Sequence, residues 1–170
     1  MPTTTTRRFA AGLAAGLPAI IVNMLLLALA DRLGIATAHG GLLRLASRIG
    51  ASLAGPAWWQ GHVQPVTATH AFRQAFHLAV GLLMAMGYSL VPGRLAGRAV
   101  PDGLAWAVIV WLLNAAVVLP LIGEGFAGSA HLAPLGMACF ALAHTAFFVL
   151  LAVFYRRLER GRASFRAARG

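Results

Sequence analysis

Apolar residues fall in four long stretches, over 9–30, 72–91, 103–122 and 132–155, and Arg73 at the edge of the second is the one charged residue in them. A helix needs about 20 mostly apolar residues to cross about 30 Å of hydrocarbon. Each stretch therefore predicts a transmembrane helix. The punctuation agrees with these bounds. Pro92-Gly93 stops the second stretch, because neither residue continues a helix well. Pro101 and Asp102 suit the start of the third, with proline in the first turn and an acid at the positive helix end. Gly123, Gly125 and Gly128 break the chain after it, and Tyr155 followed by Arg156 and Arg157 marks the passage from apolar core to water.

The connection between the first two stretches is patterned too. Leu42, Leu45, Ala46, Ile49 and Leu53 recur at helical spacing, with Arg44, Ser47, Arg48 and Ala51 on the other side. This predicts an amphipathic helix over 41–54, ended by Gly55-Pro56 and followed at once by Trp58 and Trp59. Such a helix lies flat at a membrane surface with the tryptophans as anchors, as Tyr155 would be at the other surface. A cap packed on the bundle is the alternative. The expected fold is all-α. It is a single membrane domain over 1–170, a bundle of four transmembrane helices with an interfacial helix in the first outer loop and a basic tail over 156–170.

Composition supports lipid as the solvent. The chain is 59% hydrophobic and 11% charged, against about 25% charged in soluble domains. The formal net charge is +10, carried entirely by arginine. The arginines lie between and beyond the apolar runs, which is how membrane proteins set orientation, so nucleic acid is not the expected partner. With the N-terminus inside, the cytoplasmic set is Arg7, Arg8, Arg94, Arg98, Arg156, Arg157, Arg160, Arg162, Arg166 and Arg169. The outer set is Arg32, Arg44, Arg48 and Arg73. Both termini are thus expected in the cytoplasm, with the basic tail against anionic lipids. Arg7-Arg8 before an apolar run, with Ala28-Leu29-Ala30 at its end, also resembles a cleaved leader. That run is longer than the usual apolar core of about 7–15 residues and reads as a span; cleavage would leave three helices.

Polar side chains inside lipid are costly unless partnered, so they are the informative ones. Residue counting puts Asn23, Asn114 and His144 near the middle of the first, third and fourth helices. They read either as interhelical hydrogen bonds, typically about 0.6 kcal/mol each, or as a midplane site for a proton, ion or small ligand. On the second helix His70, Arg73, His77, Gly81, Met84 and Tyr88 form one stripe. Gly81 leaves space beside His77 for close helix packing or for a flat cofactor such as haem. His62, His70, His77 and His131 gather toward the outer side with Asp31 and Glu124, and His70, His77, His131 and Glu124 are the candidate donor set for zinc, copper or iron, though without HxxxH or HExxH spacing. A bis-histidine haem needs ligands at one depth, and counting from the helix ends puts His77 about 7 Å and His144 about 15–18 Å below the outer surface. Met137 and His144 share a face, thioether plus imidazole, a pair that suits copper but more often packs. Cys139 is the one cysteine, so no internal disulfide forms. Gly12 and Gly16 make a GxxxG for close helix contact, within the chain or between copies. No phosphate loop, GxSxG or paired carboxylates occur, and no internal repeat stands out.

The run His77-Leu-Ala-Val-Gly81 ending at Tyr88, the Gly- and Ala-rich first helix and His144 in the last resemble small bacterial inner-membrane proteins of the YagU-like, uncharacterised kind, over about 9–155. The resemblance implies a four-helix protein of the bacterial inner membrane and no assigned activity. The functional expectation is a non-enzymatic accessory or assembly protein, as a homo-oligomer or in a larger membrane complex. A small transporter or channel using Asn23, Asn114 and His144 is one alternative. A metal- or haem-binding redox protein using the outer histidines is the other.

Overall fold

The computed structural model describes residues 4–38, 40–91 and 98–167, and all its regular elements are helical. The elements are α1 (Thr4–Arg32), α2 (Gly41–Ala54), α3 (Pro56–His62), α4 (Gln64–Thr67), α5 (His70–Leu90), α6 (Ala99–Leu113), α7 (Leu119–Leu121) and α8 (Pro134–Ala167). A π-turn, Asn114–Val118, joins α6 to α7, and a 3₁₀ turn, Phe126–Gly128, precedes α8. Among the described residues three segments are long and apolar enough to cross a membrane: Thr5–Arg32, Ala99–Leu121 and Pro134–Gly161. The stretch expected as a further span is the helix α5, but His70, Arg73, Gln74 and His77 dilute its first half, and it is not among the three. The Pro92-Gly93 stop and Arg94 lie outside the described residues. The tail is helical for most of its length, since α8 runs on past Tyr155 to Ala167.

Helix α1 is the hub. It packs on both α5 and α8, and α8 in turn packs on α6. The reason is the size of its side chains. Ala11, Ala15 and Ala19 recur every fourth residue and are at most 1% exposed. Gly12 and Gly16 recur on the adjoining face, and a Cβ on either would meet Ala85 or Ser89 of α5 at 3.1 Å or less. Gly81 of α5 faces Ile20, whose Cδ1 would lie 2.4 Å from an added Cβ. These contacts, with Asn23 bonded to His77, fix an antiparallel α1–α5 register. The GxxxG thus serves the fold itself. The space beside Gly81 is filled by Ile20, which leaves no room there for a macrocycle.

The α6–α8 seam uses the same device. A Cβ on Gly103 would lie 2.7 Å from both the Phe148 carbonyl oxygen and the Val149 Cα. Beyond it Pro120 supplies no N–H to the preceding turn, and the helix widens: the Leu119 N–H bonds back to the Asn114 carbonyl, five residues away. The buried apolar side chains form two clusters. One, toward the start of α1, includes Ala11, Ile20, Tyr88, Phe148 and Tyr155. The other, toward the end of α1, includes Leu27, Leu119, Phe140 and Ala143. We call these the near and far ends of the bundle.

Helix α2 crosses the far end, held by polar contacts. Arg44 pairs with Glu124 at 2.5 Å, and Arg48 donates to the Leu121 carbonyl at 3.0 Å. Its apolar side is turned away from the protein, with Ile49 51% and Leu53 84% exposed. Gly40 and Gly55 adopt φ of 84° and 92° at its two ends, the left-handed region that glycine enters at little cost. Trp59 lies over Gly50, so α2 and α3 form a small hairpin.

The glycine seams make a direct prediction. Gly103→Ala sets a methyl against backbone that cannot move aside, and should lower stability by about 1–3 kcal/mol. Gly87→Ala, where an added Cβ meets nothing within 4 Å, should instead stabilise by up to about 1 kcal/mol. Thermal unfolding of both variants in the same detergent checks the pair.

Candidate functional site

Two polar constellations lie inside the bundle. The first is at mid-length. Asn23 of α1 is 1% exposed, and its Oδ1 lies 2.8 Å from His77 Nε2 of α5. A carboxamide oxygen only accepts, so His77 donates its Nε2–H. His144 of α8 is half-buried and lies 2.9 Å through Nδ1 from the Phe140 carbonyl, with its ring 4.3 Å from the Phe140 ring. A carbonyl also only accepts, so His144 carries its proton on Nδ1 and presents the Nε2 lone pair elsewhere. Both α1 and α8 thread the two apolar clusters, and these residues sit in the gap between them.

Asn114 is not part of that layer. Gly103 opposite Phe148 and Val149 sets an antiparallel α6–α8 register, which brings Asn114 opposite about Met137. It is therefore about 10 Å farther along the bundle than His144, at 1.5 Å per residue. Counting from the helix ends missed this because α6 starts deeper in the bundle than the neighbouring helices do. Asn114 opens the π-turn, and its side chain bonds to no described residue. The partner that sequence counting sought for Asn23 is supplied by His77.

The second constellation is at the near end, and the sequence reading passed over it. Asp102, in the first turn of α6, is fully buried. It accepts a 2.5 Å hydrogen bond from the Tyr88 hydroxyl of α5, and the Arg156 guanidinium of α8 is 3.9 Å away. Tyr88 packs edge-on against Tyr155 at 5.7 Å and against Trp106 at 6.0 Å. Tyr155 is 1% exposed and faces this cluster rather than an outer surface, and Arg156 turns inward with it. The Trp106 indole N–H is buried without an acceptor among the described residues. A signal was available: Asp102 is one of only four acidic residues in the chain, and Tyr88 closes the polar stripe on α5.

The outer donor set does not converge. Glu124 is occupied by Arg44 on one oxygen and by His131 Nδ1, at 3.0 Å, on the other. His70 is exposed, with Gln74 3.4 Å from its ring, and His77 faces Asn23 two turns away. Among the described residues no three or more His, Cys, Asp or Glu side chains form a metal-holding group. The tryptophans divide: Trp58 is 51% exposed and stacks on His62, while Trp59 covers Gly50.

No family model, curated protein or solved structure matches the chain.

Two predictions follow from these contacts. Partial burial pushes the Glu124 carboxyl up, but the Arg44 charge and the hydrogen bonds from His131 and Arg44 outweigh it and hold it below 4.5. A depressed carboxylate stabilises the fold above its unfolded pKa, and that contribution is lost as pH falls through the folded value. The melting-temperature difference between wild type and Glu124→Gln should therefore be constant above about pH 5 and vanish on acidification below the usual carboxylate range. At the near end, Asp102→Ala leaves Arg156 and Tyr88 facing a void. It should cost about 3 kcal/mol, as breaking a buried pair does, read as a lower melting temperature in detergent, with Asp102→Asn milder because it still accepts from Tyr88.

Proposed function

We propose that the chain is a four-span protein of the bacterial inner membrane that acts as a non-enzymatic accessory or assembly subunit. One observation carries this reading: five buried or half-buried polar groups of the bundle are spent on joining helices. Asn23 and His77 tie α1 to α5; Tyr88, Asp102 and Arg156 tie α5, α6 and α8. Such bonds add about 0.6 kcal/mol each to close packing when lipid surrounds the helices and the hydrophobic effect does not drive them together. They are not arranged around a nucleophile and a base. The alternative of a small transporter with a midplane site is favoured by one feature only, the lone pair of His144 Nε2.

In this reading α5 is the fourth span. His77, the innermost polar residue of its first half, is bonded to Asn23 of α1, while His70 and Arg73 at its start are exposed; these residues are why hydropathy alone understates it. The near end is cytoplasmic and the far end faces outward, following the arginine excess at the near end. Helix α2 lies in the outer leaflet. Its exposed leucine and isoleucine side chains suit acyl chains, while its arginines are tied to Glu124 and the Leu121 carbonyl. The basic end of α8 meets anionic lipids. The likeness to YagU-like proteins fits this placement.

Topology is tested by reporter fusions at Gly170 and within 33–69 and 123–131. Cytoplasmic signal at Gly170 and periplasmic signal at both loops is expected; a periplasmic Gly170 overturns the orientation. Function is tested by tagging the chain at its native level and purifying it in mild detergent. Stoichiometric membrane partners or a stable homo-oligomer are expected. A lone monomer that conducts solute in proteoliposomes overturns the accessory reading.

A further inference from the structure

Helices α5 and α6 meet at the near end. There Tyr88 of α5 donates to Asp102 of α6, and its ring stands 6.0 Å from that of Trp106. Elsewhere α5 packs on α1 and α6 packs on α8, and α5 and α6 do not pack along each other. The side chains between them record the divergence. On α6 the line of Asp102 and Trp106 continues at helical spacing through Ile109 and Leu113. Exposure climbs along it: Asp102 is buried, Trp106 half-buried, Ile109 49% and Leu113 57% exposed. On α5 the line back from Tyr88 passes Met84, Val80 and His77 to Arg73. Tyr88 is buried, the next three are half-buried and Arg73 is exposed. Two walls that open in one direction from a closed corner make a wedge. At the far end the walls are bridged by the segment α2 to α4, which holds the Leu121 carbonyl through Arg48 and runs on into α5. The wedge is therefore open sideways, to whatever surrounds the bundle.

Arg73 stands at the mouth of this wedge. It is fifteen residues of α5 from Tyr88, about 22 Å, and the same climb on α6 from Trp106 reaches Leu121, where that apolar segment ends. Its guanidinium meets no acceptor or acid among the described residues. The neighbouring cations are satisfied: Arg44 holds Glu124, which it shares with His131, and Arg48 holds the Leu121 carbonyl. An arginine at the edge of hydrocarbon is costly until an anion meets it. We propose that the wedge binds one phospholipid of the far-side leaflet, with its phosphate on Arg73 and one acyl chain laid between α5 and α6 toward Trp106. This rests on the reading of α5 as a span. Charge and shape select the ligand together. The guanidinium fork matches phosphate oxygens. The walls beyond it are Met84, Val80, Ile109 and Leu113, and the one polar side chain on the α5 line, His77, is bonded to Asn23. Their length exceeds the about 15 Å that one leaflet's chains span. A free phosphate would use Arg73 and leave the wedge empty, and a diacylglycerol would fill the wedge and leave Arg73 unpaired. The bound chain would join α5 to α6 along the stretch where the protein does not.

The test is a titration of purified full-length protein, in mild detergent, with phosphatidylglycerol, read by native mass spectrometry. One lipid per chain should remain after weaker ones are stripped. Arg73→Ala should weaken that binding by about 10–100-fold, the loss of a hydrogen bond to a charged group, and Arg73→Lys by less. Arg157→Ala and Arg160→Ala, at the other end of the bundle, should leave it unchanged. Diacylglycerol with the same chains should bind at least about tenfold more weakly, and glycerol phosphate should not bind. Val80→Trp, which fills the wedge, should displace the lipid; because such a variant can misfold, the headgroup series on wild type stands independently. Wild type that retains no lipid overturns the proposal, as do Arg73→Ala binding like wild type and diacylglycerol binding like phosphatidylglycerol. Reporter fusions within 33–69 and 92–98 that fall on one side of the membrane overturn the span reading and the site with it. Fusions on opposite sides, with lipid binding indifferent to Arg73, overturn the site alone.

Discussion

Everything in this fold depends on how closely α1 can be approached. A helix that presents alanine at every fourth position on one side and glycine on the other lets two neighbours come near enough for backbone and Cβ atoms to touch. Where the surrounding solvent is as apolar as the side chains, burial of leucine gains little, and dispersion across close seams carries the association. The distribution of side-chain size follows from that. The large leucines of α1, Leu17, Leu25 and Leu29 among them, are turned outward at 46–64% exposure, and the small residues are turned in. A soluble bundle does the reverse.

The close seams also decide where polar groups can sit. Asn23 is held 1% exposed because the glycine contacts below it bring α5 near enough for His77 to reach across. The same closeness lets Tyr88 reach past its own seam to Asp102 on α6, at the corner where α5 and α6 meet. A fully buried carboxylate is tolerable there because a phenol donates to it and a guanidinium stands nearby. Arg156 thereby has two loyalties. Its position next to the end of an apolar run makes it count toward orientation, yet its side chain folds back into the bundle.

What the sequence disclosed follows the same division. The long apolar runs announced an all-helical chain, and the amphipathic spacing over 41–54 marked the stretch that is now α2, because such patterns are local. Depth was not local. Residue counting assumed that all helices begin at one level, and the deeper start of α6 displaced Asn114 from the layer where counting had put it. Asp102 was read for its helix-start chemistry, which is local, and its partners Tyr88 and Arg156 are 14 and 54 residues away along the chain.

The outward apolar face of α2 adds a constraint that neither composition nor topology imposes. An amphipathic helix lying over a protein in water turns its leucines in and its arginines out. Here Arg44 and Arg48 reach Glu124 and the Leu121 carbonyl while staying exposed, and Leu53 is 84% exposed. Glu124 belongs to the loop just beyond α7, so α2 is tied to the bundle where that apolar segment ends. Arg44 thus meets an acid and Arg48 a helix-end carbonyl, and Trp59 over Gly50 closes the hairpin that α2 forms with α3.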